Sequence, residues 1–506
     1  MALKAQRSRS QSTSIPAPIT GWNARDALGA MPETDAIKLT NWFPMPTQVA
    51  LRQGSLNWAT GLPSQVNTVM GYNSGTGHKL FAASNTGIYD CTAGGAVGVA
   101  VQTISNDKLI YTNFATAGGN FLVCCNGSDS VLNYNGTTWS NPSITGVTSA
   151  SLNYVYPTKA RLWFIEKASL RVWYLPVNSI AGTASAIDLS SLCRHGGYLV
   201  SMTSWTATGG FGTTDYTLFV TSEGEMLIYQ GIDPSSATTW SLVGIWKFGS
   251  PMGNKCFTKF GADVLYLSKD GLVPVTKGKF VADTNVGEDI SNKIQSAISD
   301  VTTTYANNFG WSVTIYPLNN MLILNVPKGA GLQEQYVMNT ITNAWCNFTS
   351  WYANTWEVYQ DNIYYGGNGV VTLAWSGYSD NGTQILGDAI QAANYFGEKG
   401  ILKRWTMMRP IISSNGKPSI YANINVDFDT TQPANILSYS GASTTATFDL
   451  SKWDVAVWGQ DNTIYKDWQG INGVGYTASP RFKAAGIGIA INWISTDFVF
   501  EKGSIL

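Results

Sequence analysis

Apolar and polar positions follow one phrase that recurs along most of the chain: an apolar run, a glycine-containing turn, and a second apolar run. It reads LFAASNTGIYDC from Leu80, FLVCCNGSDSVLNYNGTTW from Phe121, LWFIEKASLRVWYL from Leu162 and LFVTSEGEMLIYQG from Leu218. It returns as VLYLSKDGLVPVTK from Val264, as MLILNVPKG with QYVMNTITNAW from Met321, and as NIYYGGNGVVTLAW from Asn362. Successive phrases start roughly 40 to 57 residues apart, inside or just above the spacing of propeller blades. A lone hairpin cannot bury its own apolar face, whereas several stacked about an axis bury a continuous core. The pattern predicts an irregular β-propeller of six or seven blades over residues 61–377.

One unit is legible in detail. Phe121 to Cys125 reads as a strand, Asn126-Gly127 as a turn, and Ser130 to Tyr134 as the returning strand. Asn135-Gly136 turns again, and Trp139 opens a third strand. Asn-Gly suits such turns because both central positions take positive φ. Tryptophan recurs at the same place in the phrase at Trp240 and Trp345, as packing between blades would produce. The rhythm is interrupted at residues 178–216 and 278–312. The second gap holds EDISNKIQSAI from Glu288, whose Ile290, Ile294, Ala297 and Ile298 share a helical face and predict a short inserted helix.

The flanks differ in texture. Residues 1–20 read as a flexible basic arm, and 21–60 as a Trp- and Pro-rich segment in which PETDAIKL predicts a short helix near Pro32. Residues 378–506 read as long alternating strands, IYANINVDF most clearly, with a hairpin at Asn415-Gly416. The expected fold class is therefore all-β, a propeller inserted in a β-rich platform domain, with a few short helices.

Charged residues make up 12 % of the chain, against the ~25 % usual in soluble domains. So little charge keeps copies apart poorly, which points to an assembly in which neighbours cover much of the surface. A formal net charge of -1 argues against bulk attraction to nucleic acid or anionic lipid. Two local basic excesses stand out: Lys4, Arg7 and Arg9 in the arm, and Lys399, Lys403, Arg404 and Arg409 as a basic platform surface. No segment has the ~18 uninterrupted apolar residues of a membrane span. The six cysteines, at 91, 124, 125, 193, 256 and 346, include no C-x-x-C pair and read as buried reduced thiols of a protein made in a cytoplasm. Cys124 and Cys125 are adjacent, so they point to opposite faces of one strand.

Chemistry is sparse. His78 and His195, the two histidines, have no partner at metal-ligand spacing and read as loop residues. No G-x-S-x-G elbow, H-E-x-x-H helix or Walker loop appears. A glycosidase would need two carboxylates about 5 to 10 Å apart across a cleft. Candidates are Glu166, Glu223, Asp263, Asp270 and Glu357, of which Glu223 and Asp270 precede turn glycines. Abundant Trp and Tyr offer a lectin-like or receptor-binding propeller as the other alternative. Neither catalytic, metal nor cofactor residues can be assigned, and no enzyme activity is expected.

The segment DAIKLTNWFPMPTQVALRQGSLNWATG from Asp35 resembles the opening of tail-tube nozzle proteins of short-tailed bacteriophages, also described as tail tubular or packaged-DNA stabilisation proteins. DAIQAANYFGEKGILKRWTMMRPIISSNGKPSIYANINVDF from Asp388 is similar to the platform of the same group, as is the terminal GVGYTASPRFKAAGIGIAINWISTDFVFEKGSIL. The resemblance implies a non-enzymatic virion tail protein whose copies form a hexameric ring below the portal and adaptor. Its partners would be further copies of itself, the tail adaptor, and fibre, spike or needle proteins. Double-stranded DNA would be retained and then conducted without specific contacts. The resemblance transfers no individual functional residue. It implies that both ends meet in one platform, and it leaves the arm to touch either the adaptor or DNA.

Overall fold

The protein is described by a computed structural model covering residues 10–503 except 76, 209–212, 237, 277–289, 330 and 432–462. Its strands form a closed wheel of seven blades. The innermost strands are residues 66–73, Ile110–Thr116, Leu152–Thr158, Leu199–Thr208, Phe257–Phe260, Ser312–Tyr316 and Thr355–Tyr359. Each contacts the next, and the last returns to the first. The recurring sequence phrase supplies the second and third strands of each blade, as in Gly119–Cys125 and Leu132–Tyr134 of the second. These middle strands lie between two neighbouring blades, so both faces are buried and the runs are continuously apolar. Leu122 and Cys124 pack toward the first blade while Val123 and Cys125 pack toward the third.

One strand closes the wheel. The first half of Ser55–Asn73 pairs with Asn368–Ala374 as the outermost strand of the seventh blade. Its second half pairs with His78–Ser84 as the innermost strand of the first. Gly61, at φ +82°, lies in the irregular stretch between the Thr60–Val370 and Gln65–Asn368 pairs, just ahead of the change of sheet, a backbone conformation that suits glycine. Trp139, Trp240 and Trp345 open the outermost strands of the second, fourth and sixth blades, not the third strands expected from the sequence. The position is fourth because the innermost strand precedes the apolar phrase. Trp139 lies 5.2 Å from Phe81 of the first blade, and Trp240 stacks at 5.4 Å on Trp163 of the third.

Both chain ends build the platform. The outermost strand of the sixth blade, Trp345–Phe348, continues through Asp35–Thr40 into Ile385–Gln391, Ala478–Gly486 and Ser419–Val426. A second sheet carries Lys403–Ser414 and Ile491–Lys502 with Trp42–Pro44 and Val49–Leu51. Trp42, Trp405, Phe482, Trp493 and Phe498 fill the space shared by these elements. Phe482 and Trp493 are 4.8 Å apart.

Three local expectations need correction. Asp35–Thr40 is a strand, not part of a helix, because Ala36 to Thr40 pair with residues 388–391. Buried Asp35 accepts bonds from Thr20, from Asn23 and from Lys293, the last at 2.7 Å. The inserted helix is Gln295–Tyr305, entered through a 3-10 turn at Asn292–Ile294, while residues 288 and 289 of the expected helix lie outside the described residues. Ile290 stays non-helical, and its carbonyl accepts the Trp345 indole N–H. Finally, Ser10–Pro16 is no free arm. It pairs antiparallel with residues 495–501 along the platform edge.

Candidate functional site

The bore of the wheel is where chemistry-bearing side chains converge. The innermost strands of the second, third, sixth and seventh blades border it, together with the start of the fifth. They surround a cavity of about 410 Å³ whose lining includes Tyr111, Tyr154, Tyr156, Lys255, Trp356 and Glu357. Glu357 sits on the seventh blade. Its carboxylate accepts the hydroxyl of Tyr111 from the second blade and, at 3.0 Å, the backbone N–H of Gly71 from the first. One side chain thus ties three blades together across the point of closure.

The electrostatics follow from enclosure. Glu357 keeps some contact with the cavity, yet protein surrounds it, and this desolvation pushes its carboxyl up to about 7. The Tyr111 hydrogen bond, the charge of Lys255 and the Gly71 N–H oppose the rise. Burial pulls Lys255 below the ordinary lysine range, partly offset by Glu357. Lys255 donates to Thr355 Oγ1 at 3.2 Å, and its ammonium lies 5.5 Å from the Tyr111 ring centre. Tyr111 is itself held well above the ordinary phenol range, by burial and then by its neighbour Glu357.

The other candidate carboxylates do not join Glu357. Glu166 is occupied by Arg171 and by the Trp173 indole. Asp263 accepts from the Thr276 hydroxyl and the Val264 N–H. Glu223 and Asp270 lie in turns, and neither lines the bore. His78 accompanies Asn73 at 2.7 Å at the start of a strand rather than in a loop. Residues 194 and 195 donate backbone N–H groups to Glu225. Among the described residues no group of three or more His, Cys, Asp or Glu is placed to hold a metal.

The platform residues separate. Lys403 is 1 % exposed, and its ammonium donates to the carbonyls of Glu398 at 2.6 Å and Ile401 at 3.0 Å. Burial, reinforced by nearby Lys502, lowers its pKa. It belongs to no basic surface, because Lys403 and Arg404 alternate across the strand and only Arg404 is turned outward. Arg404 lies directly across from Glu501, and Arg409 pairs with Asp497 at 2.6 Å while stacking over Trp468. Lys399 caps the Tyr395 ring at 4.9 Å. Together with exposed Met407, Val474 and Tyr476, the outward face is charge-compensated and partly apolar. Lys4, Arg7 and Arg9 lie outside the described residues.

No family model matches the chain, and no curated protein does. Solved structures do. The Myceliophteria_thermophila Cps50 (Swd1) β-propeller domain is 12 % identical, covering 64 % of this chain and 99 % of that one at a TM-score of 0.37. BBS1N in complex with ARL6DN is 11 % identical, covering 65 % and 99 %, at 0.41. The computationally designed Ika8 protein is 9 % identical, covering 67 % and 96 %, at 0.36. At this level of similarity they bear on no residue of the site. No helix among the described residues is long and apolar enough to cross a membrane.

Proposed function

We propose that the chain is a structural subunit of a short-tailed phage tail nozzle, a ring protein that retains packaged DNA and conducts it during ejection. The observation that carries this reading is the union of the two segments bearing the family resemblance. Lys38 and Asp388, 350 positions apart, form a 2.8 Å ion pair, and Arg481 binds the same carboxylate at 2.7 Å. The two ends are one architectural unit, with the propeller carried between them.

The conduit belongs to the ring rather than to a subunit. A bore cavity of about 410 Å³, lined in part by tyrosines, cannot admit a duplex whose major groove alone is ~12 Å wide. A wall made between copies needs faces suited to protein contact, and the charge-compensated platform face meets that need. Sparse positive charge also suits transit, since each neutralised phosphate adds affinity that would hold DNA back.

Negative-stain images of the purified protein and of tail particles test the proposal. The expected result is a hexameric ring, present in the tail and labelled by an antibody to this chain. A strictly monomeric protein missing from virions would overturn it.

A further inference from the structure

A second cavity, of about 310 Å³, opens at one mouth of the bore and adjoins the first through Ile110 and Lys255. Its walls come from the first, second, fifth, sixth and seventh blades. Lysines 108 and 255 line it, and none of its lining residues is acidic. The nearest carboxylates are engaged elsewhere. Asp107 is held by Asn67 Nδ2 at 3.0 Å and by the Asn85 N–H at 2.8 Å, and Glu357 by Gly71 and Tyr111. Lys255 has no ion pair among the described residues, and the Lys108 ammonium rests 4.5 Å from the centre of the exposed Phe309 ring. The cavity therefore offers two cations and no acidic lining residue of its own, the charge nearest Lys255 being that of Glu357 in the adjoining cavity.

Carboxamides supply the remaining polarity. Asn67 and Asn354 are locked to each other at 3.0 Å, and Gln333 fixes Asn354 from behind. Asn254 and Asn307 are exposed at the rim. A carboxamide both donates and accepts, which matches vicinal hydroxyls better than it matches a bare anion. The volume also exceeds what a lone carboxylate fills, and it reaches the lower end of the range for small-molecule sites.

We propose that this mouth is a binding site for a carboxylated sugar of the hexuronate class, its carboxylate received by Lys108 and Lys255 and its hydroxyls by the rim asparagines. This reading does not depend on the nozzle assignment. In a tail protein it would let the propeller touch an acidic surface polysaccharide.

The test is a titration of the full-length protein with sodium glucuronate, followed by calorimetry and ligand-observed NMR, with glucose and sodium acetate as comparators. Glucuronate is expected to bind, with glucose and acetate weaker by about tenfold or more. Lys108→Ala and Asn307→Ala, both at exposed positions, should each weaken glucuronate without altering the circular dichroism spectrum, and Lys255→Met should weaken it further. Absence of glucuronate binding, affinity unchanged in Lys108→Ala, or acetate binding as tightly as glucuronate would each overturn the site. Particle imaging reads the nozzle assignment separately, so the two can fail independently.

Discussion

Arg52 grips Asp380 with both terminal nitrogens, at 2.9 and 2.5 Å, while its guanidinium lies 4.6 Å from the Trp351 ring centre. The side chain is fully buried and its partner 15 % exposed. The guanidinium also donates to Asn41 at 3.0 Å and to the Thr349 carbonyl at 2.9 Å. These contacts join the N-terminal segment, the loop before the seventh blade and the chain just after it. They are the seam between wheel and platform.

Removing one member of a buried pair strands the other, which typically costs about 3–5 kcal/mol. Arg52→Ala should therefore lower stability by that order in urea denaturation. Arg52→Lys should recover only part of it, because an ammonium cannot make the planar fork. A change in Arg52→Ala below ~1 kcal/mol, the range of exposed pairs, would show that the seam is held by something else.

Between the third and fourth blades, Trp163 and Trp240 stack with planes 25° apart. Trp163→Ala should cost about 3–5 kcal/mol through lost burial and the cavity left behind. A double-mutant cycle with Trp240→Ala should give a coupling of about 0.5–1.5 kcal/mol. Strict additivity would mean that the rings contribute only through burial.

Thiol reactivity should follow enclosure. Burial pushes Cys91 and Cys256 up to about 12, and Cys193, only half-buried, up to about 11. The thiolate is the reacting form, so native protein should resist alkylation at neutral pH. Cys193 should be modified first by iodoacetamide, and mass spectrometry would locate the adduct. Faster labelling of Cys124 than of Cys193 would contradict the packing of the middle strands, and faster labelling of Cys256 would contradict the enclosure at the start of the fifth blade's innermost strand.

The wheel was legible because its middle strands are continuously apolar, and each phrase maps to one blade. The innermost strands were not, since channel-facing strands such as Ile110–Thr116 (IYTNFAT) are mixed in polarity. Asp35–Thr40 looked helical because its pairing partner lies some 350 residues away, beyond the reach of local pattern. Lys403 carried no mark of burial apart from alternation with Arg404 and Trp405. In the sequence Glu357 is one of five candidate acids. Its partners Gly71 and Tyr111 are 286 and 246 positions distant, beyond any local pattern.

Glu357 yields a pH signature of definite sign. Its carboxyl titrates near 7 in the fold against an ordinary value of 4.5, so the folded state holds a proton that the unfolded chain has released. The associated stabilisation is complete below pH about 4.5, falls as pH rises through the interval, and is gone above about 7. Its size is on the order of 1–3 kcal/mol, since the cavity leaves some solvent contact. Glu357→Gln keeps a neutral acceptor for the Gly71 N–H and cannot titrate. Wild type should therefore lose stability relative to Glu357→Gln between pH about 5 and 8, measured as the difference between their urea midpoints. Parallel pH profiles, or a wild type that gains on the variant as pH rises, would show that the carboxylate is already charged and well satisfied at the centre of the wheel.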